Sequence, residues 1–182
     1  ELMNVRANYG TSILPSVFGV ELFVMDVSAN TLPTSRPLEG GTDAIRRLVE
    51  RGVPDKFGSF AGRALEMGAR FKEIQGKYPR IGRWVHIYHP DAQGPMDVCE
   101  LVRGSVLFED VVERPGLVKE FLDLICRTYI AFMREWYSIV PPEWEDRSVH
   151  YGCLHKGRLM LRDDSAMNLS PELEEVQPYF PI

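Results

Sequence analysis

The apolar residues of this chain recur with two different periods, and the changes of period divide it into elements. Leu2 to Ala7 is a short apolar stretch closed by Asn8-Tyr9-Gly10. Thr11 to Gly19 reads as one or two helical turns ended by glycine. Val20 to Val27 is rich in β-branched and aromatic residues and predicts a strand. Asn30 to Gly41, with Pro33 and Pro37, predicts a loop. A helix then opens at Thr42 as N-cap, with Asp43 at the positive end of its dipole. Ile45, Leu48 and Val49 share its inner face, and Gly52 stops it.

The helical period returns from Phe57 to Tyr78, where the glycines at 58, 62, 68 and 76 weaken the expectation of one continuous helix. Arg83 to His89 predicts a strand broken by Pro90, and Met96 to Arg103 a short helix closed by Gly104. The strongest helical pattern runs from Pro115 to about Ile139. Its stripe is Leu117, Val118, Phe121, Leu122, Ile125, Tyr129, Phe132 and Trp136, and Pro141-Pro142 ends it. A polar and aromatic loop follows, then a strand over Arg158–Arg162 and a helix opened by Ser170-Pro171-Glu172.

Strands alternating with helices favour a parallel α/β architecture. A closed eight-stranded barrel takes about 250 residues, more than the 182 present. The expectation is therefore a single domain over 1–182 that represents part of a (β/α)8 TIM-type barrel.

Composition narrows the partners. A net charge of −5 and dispersed basic residues give no footprint for nucleic acid or an anionic membrane. No apolar run approaches the roughly 18 residues that span a bilayer, and the opening residues show no secretory signal. The cysteines at 99, 126 and 153 are odd in number and widely spaced, and Cys126 falls in an apolar helical pattern as a reduced thiol would. A cytoplasmic location fits these features.

In parallel α/β folds the chemistry gathers where strands end. Three such ends are dense in polar groups: Arg6, Asn8 and Tyr9; His89, Asp91 and Gln93; and Arg162, Asp163, Asp164, Ser165 and Asn168. Their convergence on one face is an expectation of the barrel. Asp163-Asp164-Ser165 is either a binding group or a turn whose carboxylates cap backbone N–H groups. Adjacent residues of an extended segment face opposite sides, so the two aspartates do not share one role. His89 suits a general acid, a ligand or a substrate donor, and equally a structural histidine. The default for His86 is a ring beneath a loop, satisfied by backbone. His150, Cys153 and His155 have metal-binding chemistry, but their spacing is too compact for a familiar zinc site and a fourth ligand is missing. No phosphate-binding glycine loop or nucleophile elbow is present.

Taken in order, several motifs resemble those of uroporphyrinogen decarboxylase-like proteins. They are Pro15 to Gly19 before the strand from Val20, the Gly94-Pro95 loop and helix to Gly104, the helix from Pro115, and Asp164-Ser165 ahead of Ser170-Pro171-Glu172. The resemblance implies a (β/α)8 barrel with its site in the carboxyl-terminal mouth. It implies either cofactor-free decarboxylation of uroporphyrinogen or zinc-dependent transfer of a methyl group between a corrinoid and a thiol. Gly10 stands where the decarboxylases carry an aspartate, and Glu100 and Leu101 stand near their active-site tyrosine. Methyl transfer is therefore the favoured expectation, with decarboxylation, or a non-catalytic corrinoid- or tetrapyrrole-binding role, as alternatives. In this reading His89, Asp91 and Asp164 are catalytic, and Arg6, Asn8, Tyr9, Gln93, Arg162, Asp163, Ser165 and Asn168 bind substrate. The zinc ligands of such transferases lie in later strands without counterpart in this sequence. The implied partners are a small molecule or a corrinoid protein, with a homodimer as one way of covering the barrel's open edges.

Overall fold

The computed structural model describes residues 2–26, 28, 30–150 and 152–156. Within them the chain is mixed α/β. Strand β1 (Met3–Val5) leads through two 3-10 turns, Gly10–Ser12 and Pro15–Phe18, into β2 (Glu21–Phe23) and β3 (Thr34–Arg36). Helices α1 (Gly41–Arg51), α2 (Ser59–Lys77) and α3 (Pro79–Trp84) precede β4 (Val85–Ile87). Then come α4 (Pro95–Arg103), α5 (Leu107–Glu113) and α6 (Pro115–Ile139), followed by β5 (Arg147–His150) and β6 (Cys153–Lys156).

The expected parallel pairing is present between β1 and β4, in the register Met3↔Val85, Asn4↔His86 and Val5↔Ile87. The Tyr88 amide extends the ladder by donating to the Val5 carbonyl at 3.1 Å. Parallel strands cannot be joined by a tight turn, and here α1, α2 and α3 all lie in the connection.

Four expectations are corrected. Arg83 and Trp84, read as the start of a strand, are the end of α3, and β4 is confined to Val85–Ile87. The predicted strand over Val20–Val27 is confined among the described residues to Glu21–Phe23, and it pairs antiparallel with β3, inside the segment read as loop. Val24 and Met25, read as strand, are 68% and 49% exposed, so no second surface buries them. The polar and aromatic segment after α6, also read as loop, contains the antiparallel hairpin β5–β6. Helix α5 was hidden because its seven residues span too few turns to show a period. Among the described residues the sheets are two-stranded and no closed barrel is formed. The predicted strand over 158–162 and the helix from Ser170 lie outside the described residues.

Helix α6 is the axis of the core. Proline at its first position costs no hydrogen bond, and its inner stripe of Phe121, Leu122, Ile125, Phe132 and Trp136 is wholly buried. It packs against α1, α2, α4 and α5. Despite its glycines, α2 is one continuous helix, because Gly68 is the position where α6 comes closest. A Cβ there would lie 2.5 Å from Trp136 Cζ3 and 3.2 Å from Val140 Cγ2. The loss of helix propensity at Gly68, about 1 kcal/mol, is offset by burial of the indole. Edge-to-face contacts of Phe57 with Phe132 and of Phe18 with Phe121 extend the same core. On α5, Asp110 is buried between Arg103 and Arg114, at 2.6 Å from each.

Candidate functional site

The β1–β4 register decides which strand-end residues meet. Val5 and Ile87 are partners, so the residues leaving the two strands emerge side by side. The Arg6 guanidinium lies over the Tyr88 ring, 5.6 Å from its centroid, and its Nη1 is 3.4 Å from Asp91 Oδ2. The side chains of this pair are 11% and 20% exposed, a partly dry setting in which an ion pair is stronger than on an open surface. Gln93 Nε2 donates to the other oxygen, Asp91 Oδ1, at 2.5 Å. Gln93 adopts φ 58°, a left-handed conformation uncommon for a residue with a side chain.

His89 stands beside this group and is almost fully buried. Burial holds its pKa below the ordinary histidine value of 6.5, against the opposing pull of the Pro90 carbonyl and Asp91; the Arg6 charge adds to the lowering. Its Nδ1 is 2.9 Å from the Pro90 carbonyl oxygen. A carbonyl only accepts, so Nδ1 carries the proton of the neutral ring and Nε2 is its basic atom.

The first two predicted clusters therefore converge, through Arg6, His89, Asp91 and Gln93. Asn8 is exposed. Tyr9 stacks on Phe60 with centroids 5.5 Å apart, which ties the loop after β1 to the start of α2. The third cluster, Arg162, Asp163, Asp164, Ser165 and Asn168, lies outside the described residues.

The other face of β4 holds groups that the sequence reading missed. His86 Nδ1 is 2.6 Å from Glu143 Oε2, and its ring lies 5.3 Å from that of Trp144. This corrects the expectation that backbone groups satisfy His86. The partners are 57 positions apart, and no local pattern links them. A cavity of about 40 Å³ is lined there by His86, Tyr88, His89, Trp136, Tyr137 and Ser148, among others. It has room for little more than a water molecule.

Among the described residues no group of three or more His, Cys, Asp or Glu side chains is placed to hold a metal ion. Cys99 and Cys126 are buried, and Cys153 is exposed. No helix among them is long and apolar enough to cross a membrane.

Comparison of the chain with protein-family models, with curated proteins and with solved structures gave no match.

Proposed function

We propose that this chain is part of a β/α-barrel enzyme of the uroporphyrinogen decarboxylase-like kind, and that it serves transfer of a methyl group between a corrinoid and a thiol. The observation that carries methyl transfer over decarboxylation is the environment of Gly10. This glycine is buried and has φ +71°. A Cβ built on it would lie 2.5 Å from the Pro33 carbonyl oxygen and 3.3 Å from Leu32 Cβ. An aspartate at Gly10, as the decarboxylases carry, would need the 32–33 loop to move and a left-handed backbone that side chains disfavour. Without that acceptor, the pyrrole N–H groups of uroporphyrinogen lose their central partner.

In this reading the carboxyl ends of β1 and β4 form one wall of the mouth. A corrinoid, if bound, would meet this wall through Arg6, His89 and Asp91. A methylcorrinoid, if bound, would supply the methyl group to the thiol sulfur, and the thiol proton would pass to a base. We assign that role to His89: burial keeps its ring neutral and disfavours the cation, and Asp91 and the Pro90 carbonyl partly offset that cost when a proton arrives. Arg6, fixed by Asp91 and Gln93, supplies a positive edge for an anionic group on the acceptor. Zinc, if the protein binds it, would acidify the thiol.

The test uses the complete protein, purified without a tag or added metal, whose zinc content is measured first. It is then incubated with methylcobalamin and a simple thiol, and separately with uroporphyrinogen. About one zinc per chain together with thioether formation is the expected result. Turnover of uroporphyrinogen would overturn it, and tight corrinoid binding with no turnover would make the chain a binding protein.

A further inference from the structure

At the opposite end of the β1–β4 sheet from Arg6 and His89, the segment running into β4 combines exposed cations with exposed apolar side chains. From Lys77 to Trp84 every residue is exposed. The segment carries Lys77, Arg80 and Arg83 and contains no acidic residue. None of these cations has a carboxylate partner among the described residues.

Interleaved with the cations is an apolar row. Ile81 and Trp84 are three residues apart on α3, and Tyr78 precedes its first residue; the three are 37%, 60% and 49% exposed. The Lys77 ammonium lies 5.5 Å from the Tyr78 ring centroid, and the Arg83 guanidinium 5.0 Å from that of Trp84. These cation–π contacts hold charge against ring and lower the entropy lost when a ligand arrives. Met3, 65% exposed, pairs with Val85 and continues the apolar surface onto β1.

We propose that this face docks a short acidic peptide segment of a partner protein, with aliphatic side chains seated on Tyr78, Ile81 and Trp84 and carboxylates on Lys77, Arg80 and Arg83. Charge complementarity favours a peptide over extended polyanions. The chain as a whole carries −5, which repels a nucleic acid or an anionic bilayer at long range. A short peptide senses chiefly the charges within a screening length of about 10 Å, where Lys77, Arg80 and Arg83 outweigh Glu73, which lies one turn before Lys77 and is already paired with Arg70. The surface is separate from the proposed mouth, so it would recruit a partner without blocking the site.

The test is fluorescence anisotropy with the whole chain and a labelled peptide of alternating Asp, Leu, Glu and Leu. Vesicles containing phosphatidylserine and a thymidine oligonucleotide serve as competing probes. Peptide binding is expected to weaken with added salt, and to fall about tenfold in Arg80→Glu/Arg83→Glu. The exposed pair Lys119→Glu/Arg134→Glu on α6, which makes the same change in net charge, should leave it unaltered. Trp84→Ala, which preserves the charge, should also weaken binding. No peptide binding, equal losses in the two charge-reversed proteins, or a preference for vesicles or oligonucleotide would each overturn the assignment.

Discussion

Arg6 and Asp91 are 85 positions apart in the chain and 3.4 Å apart in space, joined because β1 and β4 pair in parallel and both residues follow the strand ends. The pair is half-enclosed, and its acid is fixed on its other side by Gln93. A double-mutant cycle of Arg6→Met and Asp91→Leu, read by urea denaturation, should give a coupling of about 1 kcal/mol. Strict additivity would mean that the two charges ignore each other. If the mouth is catalytic, Arg6→Met should also lower kcat/KM by about tenfold or more, beyond anything its effect on stability explains.

His89 predicts a pH dependence of defined sign. Its folded pKa is below 6.5 because burial disfavours the cation. In the unfolded chain the imidazole takes up its proton at higher pH, so the unfolded state is favoured as pH falls through about 6.5 toward the folded value. Stability from pH 7 downward should therefore drop more steeply in the parent than in His89→Gln. Parallel curves over that range would show that His89 is not buried as the neutral ring.

Gly68 and Trp136 give a packing prediction. Alanine at 68 gains helix propensity but sets its methyl into the indole, and overpacking of this kind costs about 1–3 kcal/mol. Gly68→Ala should lower Tm by about 2–4 °C for each kcal/mol of net loss in a chain of this size. The loss should shrink on a Trp136→Leu background, where the space is open. An unchanged Tm for Gly68→Ala alone would place α2 and α6 farther apart.

Asp110 predicts the largest single loss. Burial pushes its carboxyl up, but hydrogen bonds and charge from Arg103 and Arg114 together outweigh burial and hold it below its ordinary 3.8. Asp110→Asn leaves Arg103, with a side chain only 13% exposed, without its acid. A stability loss of about 3 kcal/mol is expected from urea unfolding. A loss near zero would mean that water reaches Arg103 freely.

Much of the helical part was legible in the sequence. The span of α6 follows from Pro115, the stripe ending at Trp136 and the prolines at 141 and 142. Gly52 and Gly104 mark helix ends where the structure has them. The pairing of β1 with β4 agrees with the expected parallel arrangement. The hairpins were not legible, because β2, β3, β5 and β6 are three or four residues long, too short for an alternation to declare itself. Among the site residues, Arg6, His89, Asp91 and Gln93 were marked by their position after strands. The His86–Glu143 pair was not.

What the sequence determined by itself is local: where α1, α2, α4 and α6 run, where proline and glycine end them, and which face of each is apolar. These follow from interactions between residues a few positions apart, so the pattern carries them. The tertiary structure alone decided that α2 could keep a glycine against Trp136, that Val20–Phe23 would leave the parallel sheet for a ribbon with β3, and that His86 would meet Glu143. Those outcomes depend on close approach and burial between distant segments, and a linear pattern does not contain such distances.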